Sequence, residues 1–279
     1  MVRITTDSDF YVDEKNIEVV KKILDNFGFE LLEYSAEEKS YEYTKQPRYN
    51  IEIHCQLDNA DKPDELDFLS SLLLNPIKDE GSRLKFSDED LYLQVFFHLY
   101  KHFSHSGAGI KMFLDNFVLS RKLTLDTERI TERLKGVGLD KFHSSVLRLC
   151  DVLFDGAKSD AVTDRFAEAV ISGGAFGVEG INIGQNKIAS SDNPEAEKKA
   201  VLSKRLGTGK ESMKKRYPVL KKAPFLLPFC YGFKAVKCAV VHPKEALSIV
   251  GYLRGMSDKN IKRREKLLTD VGLYEKLKK

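Results

Sequence analysis

Apolar positions along the chain follow two periods, and the change between them near residue 60 divides the sequence. In Asp7-Ser-Asp-Phe-Tyr-Val12 they alternate with polar ones, the period of a strand. Asp13 stands where a helix cap belongs, ahead of Ile17, Val20, Ile23, Leu24 and Phe27 at helical spacing, and Gly28 supplies the stop. Phe29–Tyr34 reads as a second strand, while Tyr41–Thr44 and Tyr49–Leu57 are predicted to pair as a hairpin around Gln46-Pro47-Arg48. Residues 61–86 form a connector with a helical piece near 64–74. Beyond it the spacing predicts helices near 88–103, 110–122, 126–135, 140–155 and 160–172, then 226–241, 243–254 and a last one ending the chain. A glycine- and polar-rich stretch over 173–209 is expected to hold a long loop. The predicted fold class is α+β, with a small mixed-sheet domain over 1–60 and a larger, mainly helical domain over 61–279.

Two strands carry the candidate chemistry. Asp7 and Asp9, at i and i+2, point to one face of a strand, about 7 Å apart at the backbone. In the later strand Ile51, Ile53, Cys55 and Leu57 form an apolar face, and Asn50, Glu52, His54 and Gln56 form a polar one. If the strands are neighbours, Glu52 completes a cluster of three carboxylates, oxygen donors suited to hard divalent cations. Such a cluster points to in-line phosphoryl or nucleotidyl transfer with two Mg2+ ions, or Mn2+ in their place. Asp7 and Asp9 would hold both ions, while Glu52 would ligate one and help to activate an acceptor hydroxyl. An Asp-x-Asp alone favours a solvated turn or strand end, which produces it often; the Ile51-Glu-Ile-His54 strand shifts the balance.

These segments resemble an uncharacterised family of the DNA polymerase beta-like nucleotidyltransferase superfamily. The resemblance rests on Arg3 ahead of Asp7-Ser-Asp9-Phe-Tyr-Val12, on Asn26-Phe-Gly-Phe-Glu-Leu31 and on Ile51-Glu-Ile-His54. It continues through His98-Leu-Tyr-Lys-His102, Gly107-Ala-Gly-Ile-Lys111 and Asp115, then Ser172–Gly177, Met213–Pro218 and Leu220–Pro228. It implies a nucleoside triphosphate and a hydroxyl-bearing acceptor as substrates, with Arg3, His54, His98, Lys101, Lys111 and Asp115 in nucleotide or substrate binding. Lys101 is the candidate phosphate contact. In the superfamily a strand ending in a glycine-containing turn lies upstream of the Asp-x-Asp. Only six residues precede Asp7 here, so the expectation is a chain without that turn and with an exposed sheet edge or groove. The alternative function is a catalytically degenerate member that binds a ligand or regulates a partner.

Other patterns have plainer readings. His98 and His102, with His105 nearby, have the i, i+4 spacing of two imidazoles sharing one ion, but no Glu follows His98 as in zinc proteases. The helix is instead expected to bury Leu91, Val95, Leu99 and Phe103, leaving His98, Lys101 and His102 to border the active-site cleft. Lys111 and Asp115, one turn apart, can pair with each other. Gly173, Gly174 and Gly177 lack the spacing of a P-loop.

Composition narrows the setting. With 42% hydrophobic and 31% charged residues the chain is of ordinary globular type, and a net charge of +3 does not indicate nucleic acid. The charge is uneven: lysines gather in 187–279, where they can face a nucleotide, another polyanion, a membrane surface or only water. Four scattered cysteines and the lack of a signal-like start point to the cytoplasm. Phe225–Val241 is the most apolar stretch, but Pro228, Lys234 and Lys237 make it a poor membrane span.

Overall fold

The structure is a computed structural model that describes residues 8–36, 39–47, 49–57, 60, 62–78, 81, 84–105, 107–172, 174, 181–207 and 209–278. Its chain divides into two compact units. The first runs to Gln94 and takes in Thr124–Asp126; the second comprises Val95–Leu123 and the chain from Thr127 onward. The division falls within a helix rather than near residue 60, where the period of the sequence changes.

In the first unit, β1 (Ser8–Tyr11) leads to a 3-10 turn at Glu14–Asn16 capped by Asp13, whose carboxylate accepts from the Lys15 amide at 3.3 Å. α1 (Ile17–Asn26) follows and stops at Gly28, whose φ of +75° suits a residue without a side chain. β2 (Glu30–Ser35), β3 (Ser40–Lys45) and β4 (Tyr49–His54) complete a sheet of order β1-β4-β3-β2. β1 runs parallel to β4, and the other pairs are antiparallel. Ile17 and Leu24 of α1 pack on Tyr43 and Ile53, with Val12, Val20, Phe29, Tyr41, Ile51 and Cys55 around them. The apolar face assigned to Ile51, Ile53 and Cys55 is thus the face that α1 covers. Among the described strands β1 is an edge, and its Phe10 and Tyr11 are exposed. α2 (Pro63–Ser71) and a two-stranded ribbon of β5 (Ile77–Lys78) and β6 (Leu84–Lys85) occupy the connector. The ribbon strands are two residues each, too short to show a period.

α3 (Asp88–His105) begins in the first unit and continues into the second, which is helical. There α4 (Ile110–Lys122), α5 (Thr127–Gly136), α6 (Asp140–Phe154) and α7 (Ala161–Ser172) fall close to their expected places. Their core is aromatic: Phe103, Phe113, Phe142 and Phe166 stack with ring centroids 5.3 to 6.2 Å apart. Leu99 and Phe103 are buried as expected, whereas Leu91 and Val95 are only partly so. The burial extends instead to Tyr92, Leu93, Phe96, Phe97 and Tyr100, so α3 is covered on more than one stripe.

The long loop expected over 173–209 is corrected by α8 (Ile181–Ala189) and α9 (Pro194–Leu206). The chain ends in α10 (Lys210–Arg216), 3-10 turns at Pro218–Lys221 and Pro224–Leu226, α11 (Leu227–Val241), α12 (Pro243–Gly255), α13 (Asp258–Asp270) and α14 (Tyr274–Leu277).

Candidate active site

The sheet positions the candidate carboxylates through its register. Residues paired across neighbouring strands share a face, and one such row reads Asp9, Glu52, Glu42, Glu33 across β1, β4, β3 and β2. Four acidic positions therefore stand in line, with strands spaced about 4.8 Å apart. Glu42 and Glu33 escape a motif search because they belong to no Asp-x-Asp. The signal was nonetheless present, since Tyr41 and Tyr43 alternate with Glu42, and a hairpin turning at Gln46-Pro47-Arg48 puts Glu42 opposite Glu52.

The next row places Tyr11, His54, Ser40 and Ser35 side by side. His54 Nε2 lies 3.6 Å from Glu52 Oε2, both side chains partly buried. The preceding row contains Asn50 and Thr44, whose hydroxyl donates to Asn50 Oδ1 at 3.0 Å. Partial desolvation on this exposed strand, with the charge of Asp13 adding to it, raises the Tyr11 phenol above its ordinary pKa. Burial likewise raises the Cys55 thiol, which keeps it protonated and a poor nucleophile.

Carboxylates directly opposed on adjacent strands repel, and Glu42 against Glu52 is such a pair. An all-oxygen donor set of this kind fits Mg2+ or Mn2+ and not a thiolate-seeking metal. Among the described residues, no group of three or more His, Cys, Asp or Glu side chains is arranged to hold an ion. Arg3 and Asp7 lie outside the described residues, and Asp9 is described in its backbone alone.

The remaining candidates belong to the second unit. α3 exposes His98 and half-buries Lys101 and His102, and the two imidazoles meet edge to face with centroids 4.5 Å apart. Lys111 and Asp115 are half-buried one turn apart on α4. The described residues offer no third ligand for a metal at the histidine pair, and the His105 side chain lies outside them. The structure thus groups Asp9, Glu52 and His54 on one sheet, and the His98, Lys101, Lys111 and Asp115 group on the helices of the other unit.

In comparison with known proteins, the model of a family described as uncharacterised nucleotidyltransferase matches residues 1–155, just over half of the chain. No curated protein and no solved structure matches significantly.

Proposed function

Because the chain belongs to this uncharacterised nucleotidyltransferase family, we propose that it moves a nucleotidyl group from a nucleoside triphosphate to a hydroxyl of an acceptor, with the acidic row of its sheet as the catalytic face. The observation that supports the reading is the register that sets the backbone of Asp9 beside Glu52 and opposes Glu52 to Glu42, two carboxylates that repel unless a cation sits between them. Asp7, Asp9 and Glu52 would hold Mg2+, and Glu42, paired with Glu52 across the sheet, would be a further oxygen donor. When bound, the metal would neutralise charge developing on the phosphates and lower the pKa of the attacking hydroxyl. Glu52 would also accept the proton of the acceptor hydroxyl, and His54, 3.6 Å from it, would orient that carboxylate. Four free thiols suit a reducing compartment, and we place the activity in the cytoplasm.

The test is pyrophosphate release from each nucleoside triphosphate, with and without Mg2+. Release should depend on Mg2+ and fall by about two orders of magnitude in Asp9→Ala and in Glu52→Gln, roughly 2.7 kcal/mol of transition-state stabilisation. Unchanged Mg2+-dependent turnover in either variant sinks the assignment. Metal-dependent nucleotide binding without turnover in the parent chain would instead identify the non-catalytic alternative.

A further inference from the structure

We propose that the helical unit carries a second anion site, for a phosphate or pyrophosphate group, in the cavity where Arg264 lies. This cavity of about 170 Å³ is lined by residues of α7, α8 and α13, among them Arg165, Ser172, Gln185, Asn260, Arg263 and Arg264. It is smaller than the roughly 300–1,000 Å³ of pockets for drug-sized ligands, a size for a single charged group. Arg264 is the unusual member. It is 6% exposed and meets no carboxylate among the described residues. Its Nε donates to Asn186 Oδ1 at 2.7 Å and its Nη2 to the Phe103 carbonyl at 3.3 Å, while its plane lies 4.7 Å from the Phe103 ring centroid. All of these partners are neutral, and Nη1 has no partner among the described residues.

A buried charge without a counter-ion is costly. Burial lowers the Arg264 pKa to about 10, which leaves it protonated near neutrality. The other two guanidinium groups at the cavity are already neutralised, because each holds a carboxylate. Arg165 is paired with Asp270 and Arg263 with Glu168. Of the three arginines that line the space, Arg264 is therefore the one without a carboxylate among the described residues. A planar guanidinium presents paired donors to phosphate oxygens, and the Gln185 and Asn260 amides at the wall each keep a second N–H beyond the one given to a backbone carbonyl.

The site does not rest on the acidic row of the sheet, and one experiment separates them. Calorimetric titration with inorganic phosphate, pyrophosphate and citrate, at constant ionic strength and without Mg2+, should show saturable binding of the phosphates. Arg264→Gln and Arg263→Glu should each weaken it at least tenfold, and Glu52→Gln should leave it unchanged. Citrate binding as well as pyrophosphate, no saturation, or equal affinity in the arginine variants would overturn the proposal. If Arg264→Gln fails to fold, the exposed Arg263→Glu decides the matter alone.

Discussion

Phenylalanine has opposite fates in two parts of the helical unit. In α3, α4, α6 and α7, Phe103, Phe113, Phe142 and Phe166 are at most 2% exposed and touch one another. Along the 3-10 turn at Pro224–Leu226 and α11, Phe225, Phe229, Phe233, Val236 and Val240 are 61–75% exposed. The four in α11 recur every three or four residues, as regular a stripe as any in the core. Lys234, on the other side of that helix, donates to the Leu206 and Gly207 carbonyls and fixes which face turns outward. Residues 210–254 carry ten Lys and Arg against two Asp and Glu, a balance of +8 in a chain of total charge +3. Pro224–Val241 is long and apolar enough to cross a membrane by length and composition, but Lys234 and Lys237 interrupt it. Periodicity tells which residues share a face; it does not tell whether anything packs there.

The comparison can be broken by measurement. Phe142→Ala removes the ring that meets Phe103 and Phe166, and it should cost about 3–5 kcal/mol in denaturant unfolding. A cost below 1 kcal/mol would mean that the aromatic core is loosely packed. His143, buried beside Phe96 at 4.9 Å between centroids, gives a second probe. Burial lowers its pKa from 6.5 to about 4, so the unfolded chain takes up the proton first. Stability should therefore be full above about pH 6.5 and fall as the pH drops, by about 3 kcal/mol near pH 4. Unfolding curves across that range should flatten in His143→Asn. The smallest effect is expected at the exposed stripe, where Phe229→Ser should change stability by no more than about 0.5 kcal/mol. A loss as large as that of Phe142→Ala would show the stripe to be covered in solution.

Much of the sheet unit was legible in the sequence because a half-buried strand writes its two faces as alternation. Ile51, Ile53 and Cys55 pack against the core and Glu52 lies on the other face, as that alternation requires. The four-residue acidic row was less visible, because it depends on pairing register and not on a local motif. In the helical unit glycine misled. Gly184 reads as loop composition but lies inside α8, where an added Cβ would come within 2.7 Å of Met256 Cε and 2.9 Å of the Tyr252 hydroxyl. The glycine lies against side-chain ends of Tyr252 and Met256, a tertiary contact with no signature in sequence. The caps of α9 do carry a local signature, which the loop expected over 173–209 passes over: Asn193 accepts from the Ala196 amide at 3.1 Å, Pro194 opens the first turn, and Gly207 closes the helix at φ +56°.

The parallel pairing of β1 with β4 has a consequence for how the acidic row is assembled. Glu42 and Glu52 are joined by a hairpin and meet as soon as that hairpin closes, whereas Asp9 reaches Glu52 only after α1, β2 and β3 have intervened. Contacts of that span form late, and among the described strands β1 is held along one side only, the kind of strand that is among the first to open. The acidic row would then be intermittent, complete only while β1 is docked, and a ligand gripping both Asp9 and Glu52 would act as a clasp on the sheet. Amide exchange should accordingly be faster in β1 than in β3, and slow in β1 when the row is occupied.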